Sequence, residues 1–126
     1  MQSFRKLMVW NKAHAVVLDV YAATRSFPGI ERYGLQTQLR RSAASVATNL
    51  AEGCGRNSAA SFASFVEIAF ASASETEYQL LLAYDIGLLP DKTYLAVVQD
   101  VREVKRMLAA LHKTLRVRAA CHRQTA

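Results

Sequence analysis

Proline and cysteine are nearly missing from this chain, with two of each, and glycine is sparse at five. So little punctuation excludes a disulfide framework and a sandwich or barrel of many short strands. No uncharged apolar run approaches the roughly 18 residues that a membrane helix needs. The nearest candidate is interrupted by Glu67, Glu75, Glu77 and Asp85, so no membrane partner is expected. The first residues, MQSFRKLMVW, lack an apolar region with a cleavage site. Cys54 stands beside a glycine and Cys121 in a polar tail. An unbridged pair in such a chain points to a reduced, cytoplasmic setting.

What is present is helix-forming sequence in long periodic stretches, and 126 residues suffice for one domain with a core of its own. Four helices are predicted, over about residues 8–25, 34–52, 58–87 and 91–116, with 117–126 losing the pattern and fraying. In the first, Trp10, Ala13, Val17, Val20, Tyr21 and Thr24 recur at three- and four-residue steps. Phe27-Pro28-Gly29 ends it. In the second, Leu35, Leu39, Ala43, Val46, Leu50 and Gly53 form the apolar line among many small residues, and Gly53-Cys54-Gly55 supplies the stop. The third, capped by Asn57 or Ser58, is apolar over more than half its circumference, with Phe70 and Leu81 beyond one edge of its main stripe. Such a helix packs on two sides, so Phe70 and Leu81 are candidate oligomer contacts. In the fourth, which Asp91 can cap, Tyr94, Val98, Val101, Val104, Leu108, Leu111 and Leu115 make the seam. Short connections make consecutive helices antiparallel neighbours, and the expected fold is an all-α, up-and-down antiparallel four-helix bundle.

Charge is unevenly placed. From Val101 onward seven cations face the single anion Glu103, so this segment carries as much net charge as the whole chain, +6. Between Ser58 and Leu89 there are four acids and no cation. Arg102, Lys105, Arg106, Lys113 and Arg116 fall within about 100° of the fourth helix at 100° per residue. A linear array of cations on a rigid rod suits a phosphate backbone, RNA or DNA. Arg40 and Arg41 form a second, weaker patch. No aromatic residues interleave with these cations, so base reading is not expected.

The chemistry of other sites is not supported. A di-metal bundle needs Glu-x-x-His pairs, and none of His14, His112 or His122 has a Glu three residues earlier. No nucleophile motif, phosphate-binding loop or cofactor fingerprint occurs, so no catalytic residue, metal or cofactor is assigned. Polar residues do line the edge of the apolar stripes: Gln38, Ser45, Asn49 and Glu52 on the second helix, and Glu67, Ser74, Tyr78 and Asp85 on the third, with Glu75 nearby. They are expected to form a hydrogen-bonded seam that fixes register or assembly. The rival use of Glu52 and Glu75 is a carboxylate pair for hydrolysis.

The run VWNKAHAVVLDVYAATRSFPGIERYGLQTQLRRSAASVATNLAEGCGR, followed by FASFVEIAFASASETEYQLLLAYDIGLL, resembles the 23S ribosomal-RNA intervening-sequence protein family. The most specific matches are Val9-Trp10, Phe27-Pro28, Tyr33-Gly34-Leu35, Gln38 with Arg40-Arg41, Asn49-Leu50-Ala51-Glu52-Gly53, and Ser74-Glu75-x-Glu77. The resemblance implies a four-helix bundle assembled as a homopentamer. The chain is also similar to the accessory variability determinant of diversity-generating retroelements, a basic bundle that works with a reverse transcriptase. That likeness implies nucleic acid, or a protein that handles it, as partner. The alternative is a structural or protein-interaction module whose cations only solubilise it.

Overall fold

A computed structural model describes residues 3–32 and 34–125; Tyr33 lies outside the described residues. A single 3-10 turn, Phe4–Lys6, leads into α1 (Met8–Thr24). A one-turn helix, α2 (Gly29–Arg32), precedes three long ones: α3 (Leu35–Cys54), α4 (Ala59–Asp85) and α5 (Asp91–Thr125). No strand occurs among the described residues. The four long helices form the up-and-down antiparallel bundle. Around it, α3 packs on α4, α4 on α5, and α1 closes the ring against α3 and α5.

The core follows the expected lines closely in α3, where Leu35, Leu39, Ala43, Val46, Leu50 and Gly53 are all buried. On α5, Val98, Val101, Val104, Leu108 and Leu115 are buried, with Tyr94 and Leu111 at the margin. The stripe on α1 is displaced by one row. Val9, Ala13, Val16, Val20 and Thr24 face the core, Trp10 and Val17 are half-buried, and Tyr21 is exposed. Both rows of α1 are apolar, so periodicity alone could not choose between them. Two residues from each helix, Ala13 and Val16, Ala43 and Val46, Ala73 and Thr76, Val101 and Val104, surround a central void of about 10 Å³. That is at the lower limit for one water and far below a cofactor's volume.

The helix ends explain the connections. At the end of α4, Gly87 has φ +85°. Its N–H reaches the Tyr84 carbonyl (3.0 Å) and the Leu88 N–H reaches that of Ala83 (2.8 Å), a Schellman closure. Ser58 caps α4 by accepting from the Ser61 N–H at 3.1 Å. The stop after α3 differs from expectation. The helix runs through Gly53 and Cys54, and Gly55 keeps right-handed geometry at φ −82°. Gly53 serves packing instead, because a Cβ there would stand 2.6 Å from Phe62 Cδ1 and 3.0 Å from Phe65 Cβ. α5 opens with Asp91 inside its first turn. The Asp91 carboxylate beside Tyr84 holds that phenol above its ordinary range, and the Tyr84 and Tyr94 rings stack at 4.4 Å. α5 also does not fray near residue 116 but continues to Thr125. Ala119, four residues beyond Leu115, is buried and carries the core line onward.

Candidate nucleic-acid interface

The five cations predicted to form one array on α5 divide into two sets. Arg102 and Lys105 lie on the edge facing α4, where Glu77 projects between them. Glu77 accepts from Arg102 Nε and Lys105 Nζ, each at 2.9 Å. These two hydrogen bonds hold its carboxyl below the usual glutamate range, the Arg102 bond contributing most. Lys105 Nζ also sits 5.2 Å from the centre of the Phe70 ring. Arg106, Lys113 and Arg116 are exposed on the side away from the core and make no hydrogen bond or ion pair. From Arg106 to Arg116 the helix rises about 15 Å.

Arg40 is not a free cation. Its Nε donates to Thr24 Oγ1 (2.9 Å), its terminal nitrogen to the Tyr21 carbonyl (3.3 Å), and its guanidinium lies 4.4 Å over the Tyr21 ring. Gln36 Nε2 donates to the Thr24 carbonyl. Two α3 side chains thus satisfy the carbonyl end of α1, where a cation is electrostatically favoured. Arg41, one residue on, points outward and has no such partner.

The polar seam exists, with a different membership from the expected one. At the α3–α4 contact Thr76 Oγ1 donates to Ser42 Oγ (2.8 Å), and Ser42 Oγ donates to Gln79 Oε1 (2.8 Å). Gln79 Nε2 reaches Gln38 Oε1 at 3.3 Å, and Ser45 pairs with Ser72 at 2.8 Å. Gln38 and Ser45 therefore belong to it. Half-buried Asn49 bonds back to the Ser45 carbonyl (2.8 Å) and hydroxyl (3.0 Å) of its own helix. Glu67 pairs with His112 at 2.9 Å, bridging α4 to α5 at the surface. Glu52 and Glu75 are exposed, and neither carboxylate has a partner. With Ser45 opposite Ser72, the two stand about ten residues apart along the antiparallel pair, or about 15 Å. A joint acid–base role at that separation is excluded. Ser42, Thr76, Gln79 and Glu77 escaped the sequence reading. The one available signal was a polar residue, Thr76, standing on the apolar line of α4.

No group of three or more His, Cys, Asp or Glu side chains comes together among the described residues. Burial pushes the Cys54 thiol up, away from the reactive thiolate. No helix is long and apolar enough to cross a membrane among those residues. Phe70 and Leu81 remain 37% and 41% exposed, more than a single bundle's core leaves open.

The model of the 23S rRNA-intervening sequence protein family matches residues 5–110. The chain belongs to that family. A crystal structure of a protein of unknown function from the S23 ribosomal protein family of Bacteroides thetaiotaomicron shares the fold, with a TM-score of 0.76 and 24% identity. The match covers 84% of this chain and 99% of that one. No curated protein matches the sequence. Within the intervening-sequence family, the matched span ends before Lys113 and Arg116. The last turns of α5, with their basic residues, therefore lie beyond the part matched by the family model.

Proposed function

We propose that this chain is a non-enzymatic bundle that assembles with copies of itself and associates with nucleic acid, or with a protein that handles it, through α5. The observation that carries this reading is the set Arg106, Lys113 and Arg116, exposed on the outward side of a rigid helix with no hydrogen bond or ion pair. Arg106 has Glu103 in its neighbourhood, but none of the three is clipped by an acid as Arg102 and Lys105 are by Glu77. Without aromatic platforms or hydrogen-bonding groups beside them, they suit phosphates rather than bases, so binding is largely independent of sequence. The family's name, which refers to 23S rRNA, is consistent with an RNA partner. The Glu77 clip favours the rival reading, a structural module, for Arg102 and Lys105 alone.

The test is fluorescence anisotropy with a 30-nucleotide single-stranded RNA over a range of salt concentrations. Three phosphate contacts per chain give a slope of log affinity against log salt of about −2 for each contacting chain. Absence of binding near physiological salt would return the cations to a solubilising role.

A further inference from the structure

An aromatic column stands at the start of α1, apart from the cations of α5. The Phe4 and Trp10 rings are tilted with centroids 4.7 Å apart, and Trp10 and His14 stack at 5.0 Å with their planes 9° from parallel. The Arg5 guanidinium lies 5.7 Å from the centre of the Phe4 ring. Asn11 holds this arrangement: its Nδ2 donates to the Arg5 carbonyl (3.0 Å) and to the Leu7 carbonyl (2.9 Å), tying the leading turn to α1. Phe4 and Trp10 are half-buried, and His14, at the outer end of the column, is exposed. An imidazole ring has two faces. Trp10 takes one, and no ring or cation among the described residues takes the other. The Trp10 indole N–H makes no hydrogen bond among those residues and is not buried. No acid precedes Asp19 in the sequence. Lys12 is engaged by Glu103 at 2.8 Å, while Arg5 and Lys6 are exposed and have no acid partner among the described residues.

We infer that one unpaired base of a single-stranded nucleic acid stacks on the outer face of His14, extending the Phe4–Trp10–His14 column, with the adjoining phosphates on Arg5 and Lys6. Stacked rings that end in solvent beside cations match this ligand in both its parts: the base offers a π-face and the backbone offers negative charge. A duplex offers no such face, because its bases are already stacked on one another. An acidic peptide would engage the cations and leave the rings unused. The rings are fixed before the strand arrives, so little ordering accompanies binding. Every base has a π-face, so the platform tolerates any sequence. The inference rests on the nucleic-acid reading of the proposed function. It adds a preference for single strands, which phosphate contacts on α5 alone do not supply.

Trp10 is the only tryptophan of the chain, so its emission, excited at the red edge beyond tyrosine, reports on the column. The experiment titrates the full chain with the single-stranded RNA of the anisotropy test and with a duplex RNA of the same length, reading anisotropy and Trp10 emission together. The single strand should quench the emission with the midpoint of its anisotropy curve, and the duplex should leave the emission unchanged. His14→Ala should weaken single-strand binding roughly 5- to 150-fold. His14→Phe, which keeps a ring, should bind like the parent. Affinity for the duplex should be the same in all of them, with circular dichroism as the check on folding. Single-strand binding without quenching, quenching by the duplex, or a folded His14→Ala variant with the parent's single-strand affinity each overturns the platform and leaves the α5 reading standing. If neither RNA binds, the platform and the nucleic-acid reading fall together.

Discussion

Glu77 answers two cations at once, and its ionisation is tied to the fold. Its carboxyl titrates below the usual glutamate range when folded, so the folded state binds fewer protons than the unfolded one. The resulting stability is complete above the unfolded glutamate value and is lost as the pH falls through the lower folded value. Arg102 is half exposed, with 52% of its side-chain surface open, so solvent screening keeps the contribution of the clip small. Thermal melts of the parent and Glu77→Gln should differ at pH 7 and converge as the pH falls through the lowered folded value. A gap of constant size across that range would mean that ionisation of Glu77 contributes nothing. Neighbouring arginines make the second residue-scale prediction. Arg40→Ala removes the ties to Thr24 and Tyr21 and should cost about 1.5–3 kcal/mol in urea unfolding, the range for hydrogen bonds to a charged group. Arg41→Ala should stay within about 0.5 kcal/mol of the parent. Equal effects would contradict the division of the Arg40-Arg41 pair into an internal and an external residue.

At the scale of elements, α3 and α4 approach closely at Gly53. An alanine in a helix interior is intrinsically better than glycine by about 1 kcal/mol. Here the added methyl meets the Phe62 ring at 2.6 Å and Phe65 Cβ at 3.0 Å. Gly53→Ala should therefore destabilise by about 1–3 kcal/mol, because overpacking outweighs propensity. A stabilised variant would show that the two helices can separate freely. The same contact shows what the sequence discloses and what it conceals. Leu39, Ala43, Val46 and Leu50 repeat at helical spacing, so the core face of α3 is legible. Ser42 is equally buried, but its serine identity fits a surface as well as a core, and its partners Thr76 and Gln79 lie more than thirty positions away. Hydrogen bonding across helices leaves no periodic trace in either strand of the pattern. The extension of α5 was concealed for a related reason: past Leu115, among the described residues, only Ala119 is buried, and no further large apolar residue continues the seam.

For the whole molecule, the fold was readable because four apolar repeats and short connections admit few arrangements, and family membership follows from the match over residues 5–110. The site was only half readable. Sequence shows that Arg102, Lys105, Arg106, Lys113 and Arg116 share a sector; it does not show that Glu77, on another helix, takes two of them. The most direct test replaces Arg106, Lys113 and Arg116 together by Gln and compares the variant with the parent in RNA binding across salt. The account predicts an unchanged far-ultraviolet spectrum, weaker binding, and a slope flattened by about two units per contacting chain. A folded variant that binds with the parent's affinity and the parent's salt dependence would contradict it.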